Sequence, residues 1–322
     1  MKISRASVPL SRRGMKVAAG ALGLVVVTLL FFNLVSQWEQ FRKLNVSPRL
    51  LPLAGSLILF SLGFCSLVQA WRLLLRALGF RVGFRAAFVV VIRASLGRYI
   101  PGKVWAAAGL VYLGRRAGIP VGTGSAAAVL STLLLVLSGT LASAWRLGAF
   151  FSPGLRVLLI GGAAILLLLS VHPRLLACLV RLASRWGVAE VPPLPFSRIL
   201  LCLPFYLLFW VGLGGGFVGA TASLIGEVPP VPLEVASAYA LAYVGGVVAV
   251  FVPGGLGVRE GLLALLLGGV LVSPLPSAVS IFSRVWATGG EALLFAATFL
   301  PWFRLPAGID ETIPPVGESP AK

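Results

Sequence analysis

Two stretches, Leu96-Gly-Arg-Tyr-Ile-Pro-Gly-Lys-Val-Trp105 and Phe251-Val-Pro-Gly-Gly-Leu-Gly-Val-Arg-Glu-Gly261, interrupt apolar sequence with a Pro-Gly pair. A helix does not continue through such a pair, because proline has no N–H and clashes with the preceding turn. In a bilayer the break exposes polar backbone groups that the protein or a polar cavity must satisfy. Broken helices at matching places in two halves of a chain indicate a transporter's binding site. The breaks at Pro101 and Pro253 therefore predict a membrane protein with one broken helix in each half, and a binding site beside the two breaks.

The composition places most of the chain in a membrane. The 322 residues are 58% hydrophobic and 11% charged, with a mean hydropathy of +1.00, whereas soluble domains carry about 25% charged residues. A net charge of +18 would suggest nucleic acid in a soluble protein. Here most Lys and Arg fall in loops, where they set the orientation and meet anionic headgroups. We therefore expect a membrane partner and no nucleic acid.

The apolar runs predict an all-α polytopic membrane protein. Six runs approach the roughly 20 residues that cross the hydrocarbon core: about 17–36, 50–71, 121–144, 155–171, 198–225 and 277–302. Two broken pairs lie between them, at about 86–100 with 102–114 and at about 233–251 with 255–271. Pieces this short predict re-entrant helix hairpins, which enter the membrane and return to the same side.

The same order of elements occurs twice. Pro101 and Pro253 are about 150 residues apart, close to half the chain. Three full crossings in each half would make the second half enter from the opposite side, so the sequence predicts an inverted repeat. Its halves are about 17–145 and 155–304, within a membrane domain at 17–304. A basic cytoplasmic N-terminus, 1–16, precedes this domain, and a Pro-containing tail, 305–322, is expected to be disordered.

The positive charges predict the orientation. With the N-terminus inside, most Lys and Arg fall on the cytoplasmic side, and both termini are cytoplasmic. The first break is then reached from the inside and the second from the outside. The outer loops are expected to hold few cations, namely Arg42, Lys43, Arg49, Arg146 and Arg156.

Five cations fall at membrane depth in this interpretation: Arg93, Arg98, Lys103, Arg259 and Arg284. The opposing carboxylates are Glu260 and Glu291, which are predicted to pair with buried arginines. Arg284 and Glu291 are seven residues apart, so they share a helix face, and Arg284 or Arg259 is the expected partner of Glu291. Because two carboxylates do not neutralise five cations, the excess positive charge points to an anionic ligand.

The segments that begin at Gly102 and Gly254 would start in mid-membrane, with free N–H groups and positive dipole ends. A phosphate group suits that environment, and glycines let it approach the backbone. Tyr99 and Trp105 flank the first break and line a lipid groove or serve in packing. The predicted lipid-phosphate site consists of Arg98, Tyr99, Gly102, Lys103, Gly254, Gly255, Gly257 and Arg259.

No catalytic residue, metal or cofactor is predicted. The run from Gly97 to Lys103 matches the start of a P-loop, but Val104 stands where Ser or Thr would hold magnesium. One histidine and three scattered cysteines give no metal-ligand spacing.

Small residues in Gly212-x-x-x-Gly216 and Gly215-x-x-x-Gly219 predict close helix contact. We expect this contact within the chain, with dimerisation as the alternative.

The two Pro-Gly stretches together resemble the membrane domain of the lysylphosphatidylglycerol synthase family, over roughly residues 15–302. The resemblance implies a flippase-like domain of a bacterial or archaeal inner membrane. In two-domain members this part is associated with translocating an aminoacylated phospholipid that a separate soluble domain makes. Only about 20 residues follow the last predicted span here, so the lipid-moving part is expected without the synthetic part.

The first functional hypothesis is a flippase-like protein that binds and translocates an anionic lipid. The lipid is an anionic phospholipid or a polyprenyl-phosphate-linked lipid, since similar membrane domains occur with glycosyltransferases. The alternatives are a membrane-embedded transferase and an accessory subunit of a lipid-linked glycosyltransferase pathway. A glycosyltransferase or lipid-synthetase partner and an oligomeric state are left open.

Overall fold

The computed structural model describes residues 48–100, 104–148, 152–170, 196–249 and 257–303, and all regular elements within these ranges are helical. The N-terminus, the predicted helix at 17–36, both Pro-Gly pairs and the tail lie outside the described residues. The α-helices are α1 (Leu50–Ala77), α2 (Phe84–Ser95), α3 (Val104–Arg116), α4 (Val121–Gly148), α5 (Pro153–Ser170), α6 (Phe196–Leu200), α7 (Leu203–Ile225), α8 (Pro232–Val248), α9 (Val258–Leu267) and α10 (Leu275–Ala297). Short 3-10 helices follow α2 and α10, at Leu96–Tyr99 and Pro301–Phe303.

Within the described residues, three helical stretches are long and apolar enough to cross a membrane: Leu50–Ala77, Val121–Gly148 and Ser197–Ile225. They correspond to three of the six predicted spans, whereas the full count of six stays a prediction. The predicted span at 277–302 is α10, which ends at Ala297 before the second 3-10 helix. The predicted span at 121–144 extends to Gly148, so it includes Arg146.

The antiparallel pair α1 and α7 forms the centre of the fold. The α1 start meets the α7 end, where the Arg49 guanidinium donates to the Gly226 carbonyl at 2.5 Å. In the middle the backbones touch, since a Cβ on Gly212 would lie 2.7 Å from the Gly63 Cα. A Cβ on Gly216 would lie 2.9 Å from the Ser56 carbonyl oxygen. These glycines therefore serve helix packing within the chain, which confirms that interpretation.

Helices α2 and α3 pack antiparallel as a first hairpin. Its contacts run from Ala94 against Gly109 to the backbone of Trp105, which a Cβ on Gly97 would approach to 2.6 Å. Glycine at position 97 allows the 3-10 turn to lie directly on the first turn of α3. Helices of 12 and 13 residues are about 18–20 Å long, which is shorter than the roughly 30 Å hydrocarbon core.

Helices α8 and α9 form a second hairpin, in which Gly246 packs on the Arg259 side chain and Gly245 on Leu262. Both hairpins reach α10, but at different levels. The second contacts Ser280 and Arg284 through Glu260, whereas the first contacts Glu291 through Arg98 and Thr298 through Arg93. The hairpins therefore approach the middle of α10 from its two opposite ends, and Arg98 of the first hairpin donates to the Tyr243 hydroxyl of the second. The described residues beside each break, 96–100 and 257–260, are called the tips of the hairpins.

Candidate functional site

The tip of the first hairpin is joined to α10 by a buried carboxylate. The Arg98 guanidinium pairs with Glu291 at 3.0 Å, and the Tyr99 hydroxyl donates to the other Glu291 oxygen at 3.0 Å. The same 3-10 turn that precedes the Pro-Gly break presents both side chains. Glu291 is only 5% exposed, so its charge depends on these donors. Thr288, one turn earlier, lies 3.5 Å from the Tyr99 hydroxyl.

The tip of the second hairpin is fixed by Glu260. Its carboxylate accepts the Gly257 N–H at 2.7 Å and pairs with Arg284 at 2.9 Å. Gly257 has φ +80°, a backbone conformation that glycine adopts readily. The Ser280 hydroxyl donates to the Glu260 carbonyl at 2.6 Å. An anionic ligand that used the Gly257 N–H would have to displace this carboxylate.

Arg259, next to Glu260, points to different partners. Its guanidinium donates to the Tyr239 hydroxyl and lies 4.8 Å from the Tyr239 ring centroid and 5.3 Å from that of Tyr243. The side chain is 7% exposed, and its Nε has no hydrogen-bond partner among the described residues. No carboxylate of the described chain forms an ion pair with it. Arg259 is therefore a buried cation held by aromatic faces and a hydroxyl.

The cluster as a whole carries an excess of positive charge. Among the described residues of the cluster, three arginines, Arg98, Arg259 and Arg284, face two carboxylates, and each carboxylate is engaged with a different arginine. A buried cation that lacks a counter-ion is costly, and an anionic group at the same place would remove that cost. Chemically, the site is suited to hold an oxyanion such as phosphate.

The structure places Arg98 and Tyr99 at the tip of the first hairpin and Gly257 and Arg259 at the tip of the second. Gly102, Lys103, Gly254 and Gly255, and the breaks at Pro101 and Pro253, lie outside the described residues. Trp105 is 44% exposed. Arg93 lies away from the tips, where it donates to the hydroxyl and carbonyl of Thr298.

The expected partner of Glu291 differs from the observed one. The sequence favoured Arg284 or Arg259, whereas the structure pairs Glu291 with Arg98 and Arg284 with Glu260. Helix periodicity places Arg284 and Glu291 on one face, but each hairpin inserts its own charged tip at a different level of that face. Each of these α10 residues therefore forms an ion pair with a hairpin, in place of the predicted pair between Arg284 and Glu291.

Sequence reasoning missed three hydroxyl groups of the site, those of Tyr239, Tyr243 and Thr288. The two tyrosines are four residues apart on α8, and so occupy one helix face. That spacing, on the apolar arm before the second break, is a signal that could have identified them.

Two arginines expected in outer loops are structured. Arg146 lies in the last turn of α4, 4% exposed, and Arg49 precedes α1 against Gly226. Arg146 donates to the Leu266 carbonyl at 2.6 Å and to the Glu234 carboxylate at 3.2 Å. The loop assignment of Arg146 is wrong because α4 continues beyond the end of its apolar run.

Apolar membrane-length helices around a buried charged cluster define an all-helical, multi-pass membrane protein. The chain belongs to the family described as the lysylphosphatidylglycerol synthase TM region, whose sequence model matches residues 16–288. The resemblance of the two Pro-Gly stretches is thereby confirmed. The comparison with curated proteins gave no match. Family membership connects the protein to lipid metabolism in the membrane.

Proposed function

We propose that the protein binds the phosphate of an anionic lipid between the tips of its two hairpins and moves that lipid across the membrane. Arg259 carries this proposal. It is 7% exposed, has an unpartnered Nε among the described residues, and lies where two charge pairs already occupy both nearby carboxylates. A lipid phosphate supplies the missing counter-charge.

The planar guanidinium suits this ligand, because its N–H groups match the geometry of phosphate oxygens. Tyr239 already takes one donor, and the unpartnered Nε is the donor that we assign to the lipid. Lys103 and the glycines at positions 102, 254 and 255 adjoin these tips in sequence, and we propose them as further phosphate contacts.

The proposed architecture has six transmembrane helices and two re-entrant hairpins in an inverted repeat, with halves 17–145 and 155–304. The short hairpin helices and their approach to α10 from opposite ends support it. We further propose cytoplasmic termini and residence in the inner membrane of a bacterium or archaeon. The two halves would expose the phosphate site alternately to either side.

The contacts of Glu260 and Glu291 support transport over the transferase alternative, because both carboxylates are already paired with other residues. A transferase needs a general base, whereas Glu291 accepts from Arg98 and Tyr99, and Glu260 caps α9 and pairs with Arg284. The proposed cargo is an anionic phospholipid or a polyprenyl-phosphate-linked lipid. A glycosyltransferase or a lipid synthetase would supply or use it.

Arg259→Gln tests the binding step. Loss of a charge-assisted contact should weaken phosphatidylglycerol binding by at least about tenfold, because hydrogen bonds to charged groups contribute about 1.5–3 kcal/mol. Native mass spectrometry in mild detergent measures the bound fraction, with phosphatidylcholine as the neutral competitor. The matched control is Arg76→Gln, which removes an exposed cation of α1. Equal binding by the two variants would contradict the proposed site.

A further inference from the structure

We infer that Tyr243 is a positioning residue that couples the two hairpins during lipid movement. This inference rests on the proposed function and extends it from the phosphate site to the contacts between the two hairpins. Tyr243 lies on α8 of the second hairpin and is 8% exposed.

Two parts of this one side chain contact two different arginines. Its hydroxyl accepts a hydrogen bond from Arg98 Nη1 at 2.9 Å, and its ring lies 5.3 Å from the Arg259 guanidinium carbon. Arg98 belongs to the first hairpin and Arg259 to the second. The phosphate-binding cation and the tip of the opposite hairpin therefore contact the same residue.

The Tyr243 hydroxyl also bears on the ion pair that joins the first hairpin to α10. Arg98 Nη1 donates both to Tyr243 and, at 3.0 Å, to Glu291. Any displacement of the Tyr243 hydroxyl changes the geometry of that shared donor. A phosphate that draws the Arg259 guanidinium off the ring would remove one contact of the ring, and the resulting shift of the Tyr243 hydroxyl would change the contact between Arg98 and Glu291.

The rest of the Tyr243 ring is held by aromatic packing. It meets Trp210 edge-on, with ring centroids 5.4 Å apart, and the Trp210 indole N–H donates to Ser138 on α4. Phe209 packs nearby at 6.4 Å. This support remains when only the hydroxyl is removed, so Tyr243→Phe isolates the contact to Arg98.

The experiment compares lipid binding with lipid movement in wild-type protein and three variants. Binding is measured by native mass spectrometry with phosphatidylglycerol. Movement is measured in phosphatidylcholine vesicles that contain the protein and fluorescent phosphatidylglycerol, whose outer-leaflet fluorescence dithionite removes. Tyr243→Phe should retain binding within about threefold and slow movement about tenfold, the loss expected for one hydrogen bond to a charged group.

The two further variants separate coupling from other effects. Tyr206→Phe removes a buried hydroxyl that donates to Ser131 at 2.8 Å away from the site, and both binding and movement should stay at wild-type levels. Tyr239→Phe removes the hydroxyl that holds Arg259, so it should weaken binding itself. The opposite patterns at positions 239 and 243 are the signature of the inference.

Each result decides the question. Movement by Tyr243→Phe at the wild-type rate, or a parallel loss of binding and movement, overturns the role of Tyr243 while leaving the proposed function intact. Unfolding of this variant also overturns it, since a positioning hydroxyl should not be needed for the fold. A wild-type protein that neither binds nor moves the probe refutes the proposed function and, with it, this inference.

Discussion

Arg146 illustrates at the residue scale how much a buried cation depends on its partners. Its Nε and Nη2 donate to the Leu266 carbonyl near the end of α9, and its Nη1 donates to Glu234 at the start of α8. A Cβ on Gly269 would come within 2.9 Å of the guanidinium, so glycine leaves room for it. Arg146 of α4 thereby forms hydrogen bonds with both helices of the second hairpin, α8 and α9.

We predict that Arg146→Gln lowers the free energy of unfolding by about 2 kcal/mol, because it leaves a carbonyl and a carboxylate without their charged donor. The value is below that of fully buried pairs, because the Glu234 side chain is 24% exposed. Denaturant unfolding in mixed micelles measures it. The exposed Arg76→Gln serves as the control, with an expected change within about 0.5 kcal/mol. Equal unfolding curves for the two variants would show that the Arg146 contacts do not stabilise the fold.

The sequence alone identified the charged residues of the candidate site but not how they pair. Arg98, Arg259, Glu260, Arg284 and Glu291 stand out because a charge in an apolar run is costly and needs a reason. Their partners depend on which turn of α10 each hairpin tip reaches. That depth follows from packing between distant segments, which local periodicity does not contain.

At the scale of elements, the contact between α1 and α7 depends on glycines, which have no side chain to keep the two backbones apart. Gly63 and Gly212 let the two backbones approach directly, and aromatic rings pack beside them, with Phe64 edge-on to Phe209 at 5.5 Å. Without a hydrophobic force between helices in lipid, such close packing supplies much of the association energy.

Gly212→Ala should therefore destabilise the protein by about 2 kcal/mol, since its methyl group would lie 2.7 Å from the Gly63 Cα and force the helices apart. Gly161→Ala in α5 is the matched control, because a Cβ there meets no atom within 4 Å. It should be neutral or stabilising by up to about 1 kcal/mol, the helix preference for alanine. Thermal unfolding in the same micelles compares the two, and a control that loses as much stability as Gly212→Ala would refute the packing argument.

The existence of the helices followed from apolar runs, whereas their ends did not. The run at 50–71 predicted α1, yet the helix continues to Ala77 through Arg72 and Arg76. Conversely, the apolar run at 277–302 is α-helical only as far as Ala297. Helix ends are set by capping and by neighbouring elements, such as the first hairpin, whose Arg93 binds the Thr298 carbonyl.

For the whole molecule, the long helix α10 relates the two hairpins to each other. Contacts at Ser280 and Arg284 belong to the second hairpin, and those at Glu291 and Thr298 to the first. At about 1.5 Å of rise per residue, the two charge pairs are separated by roughly 10 Å along the helix. Opposed tips at this separation suit the proposed entry of the hairpins from opposite membrane faces.

Residues 81 and 230 should consequently label from opposite sides of the membrane. The contact between Arg49 and Gly226 places the segment before residue 230 beside the start of α1, while Arg81 follows its other end. Cysteines introduced singly at these exposed positions, in a background free of native cysteines, are treated with an impermeant maleimide. We expect position 81 to react from the cytoplasm and position 230 from outside. Reaction of position 230 from the cytoplasm alone would invalidate the topology.

The contacts between Glu260 and α10 also indicate that the second hairpin is held more rigidly than the first. Its backbone carbonyl binds Ser280 while its carboxylate binds Arg284 and caps α9, so moving this tip would disturb main chain and side chain together. Among the described residues, the hydrogen bonds between the first tip and α10 are formed by side chains, those of Arg98 and Tyr99 to Glu291. Side-chain contacts can exchange by rotamer changes without unwinding a helix turn. If the protein moves lipid as proposed, we therefore expect the first hairpin to shift more readily than the second hairpin and α10, which hold each other through main-chain and side-chain contacts.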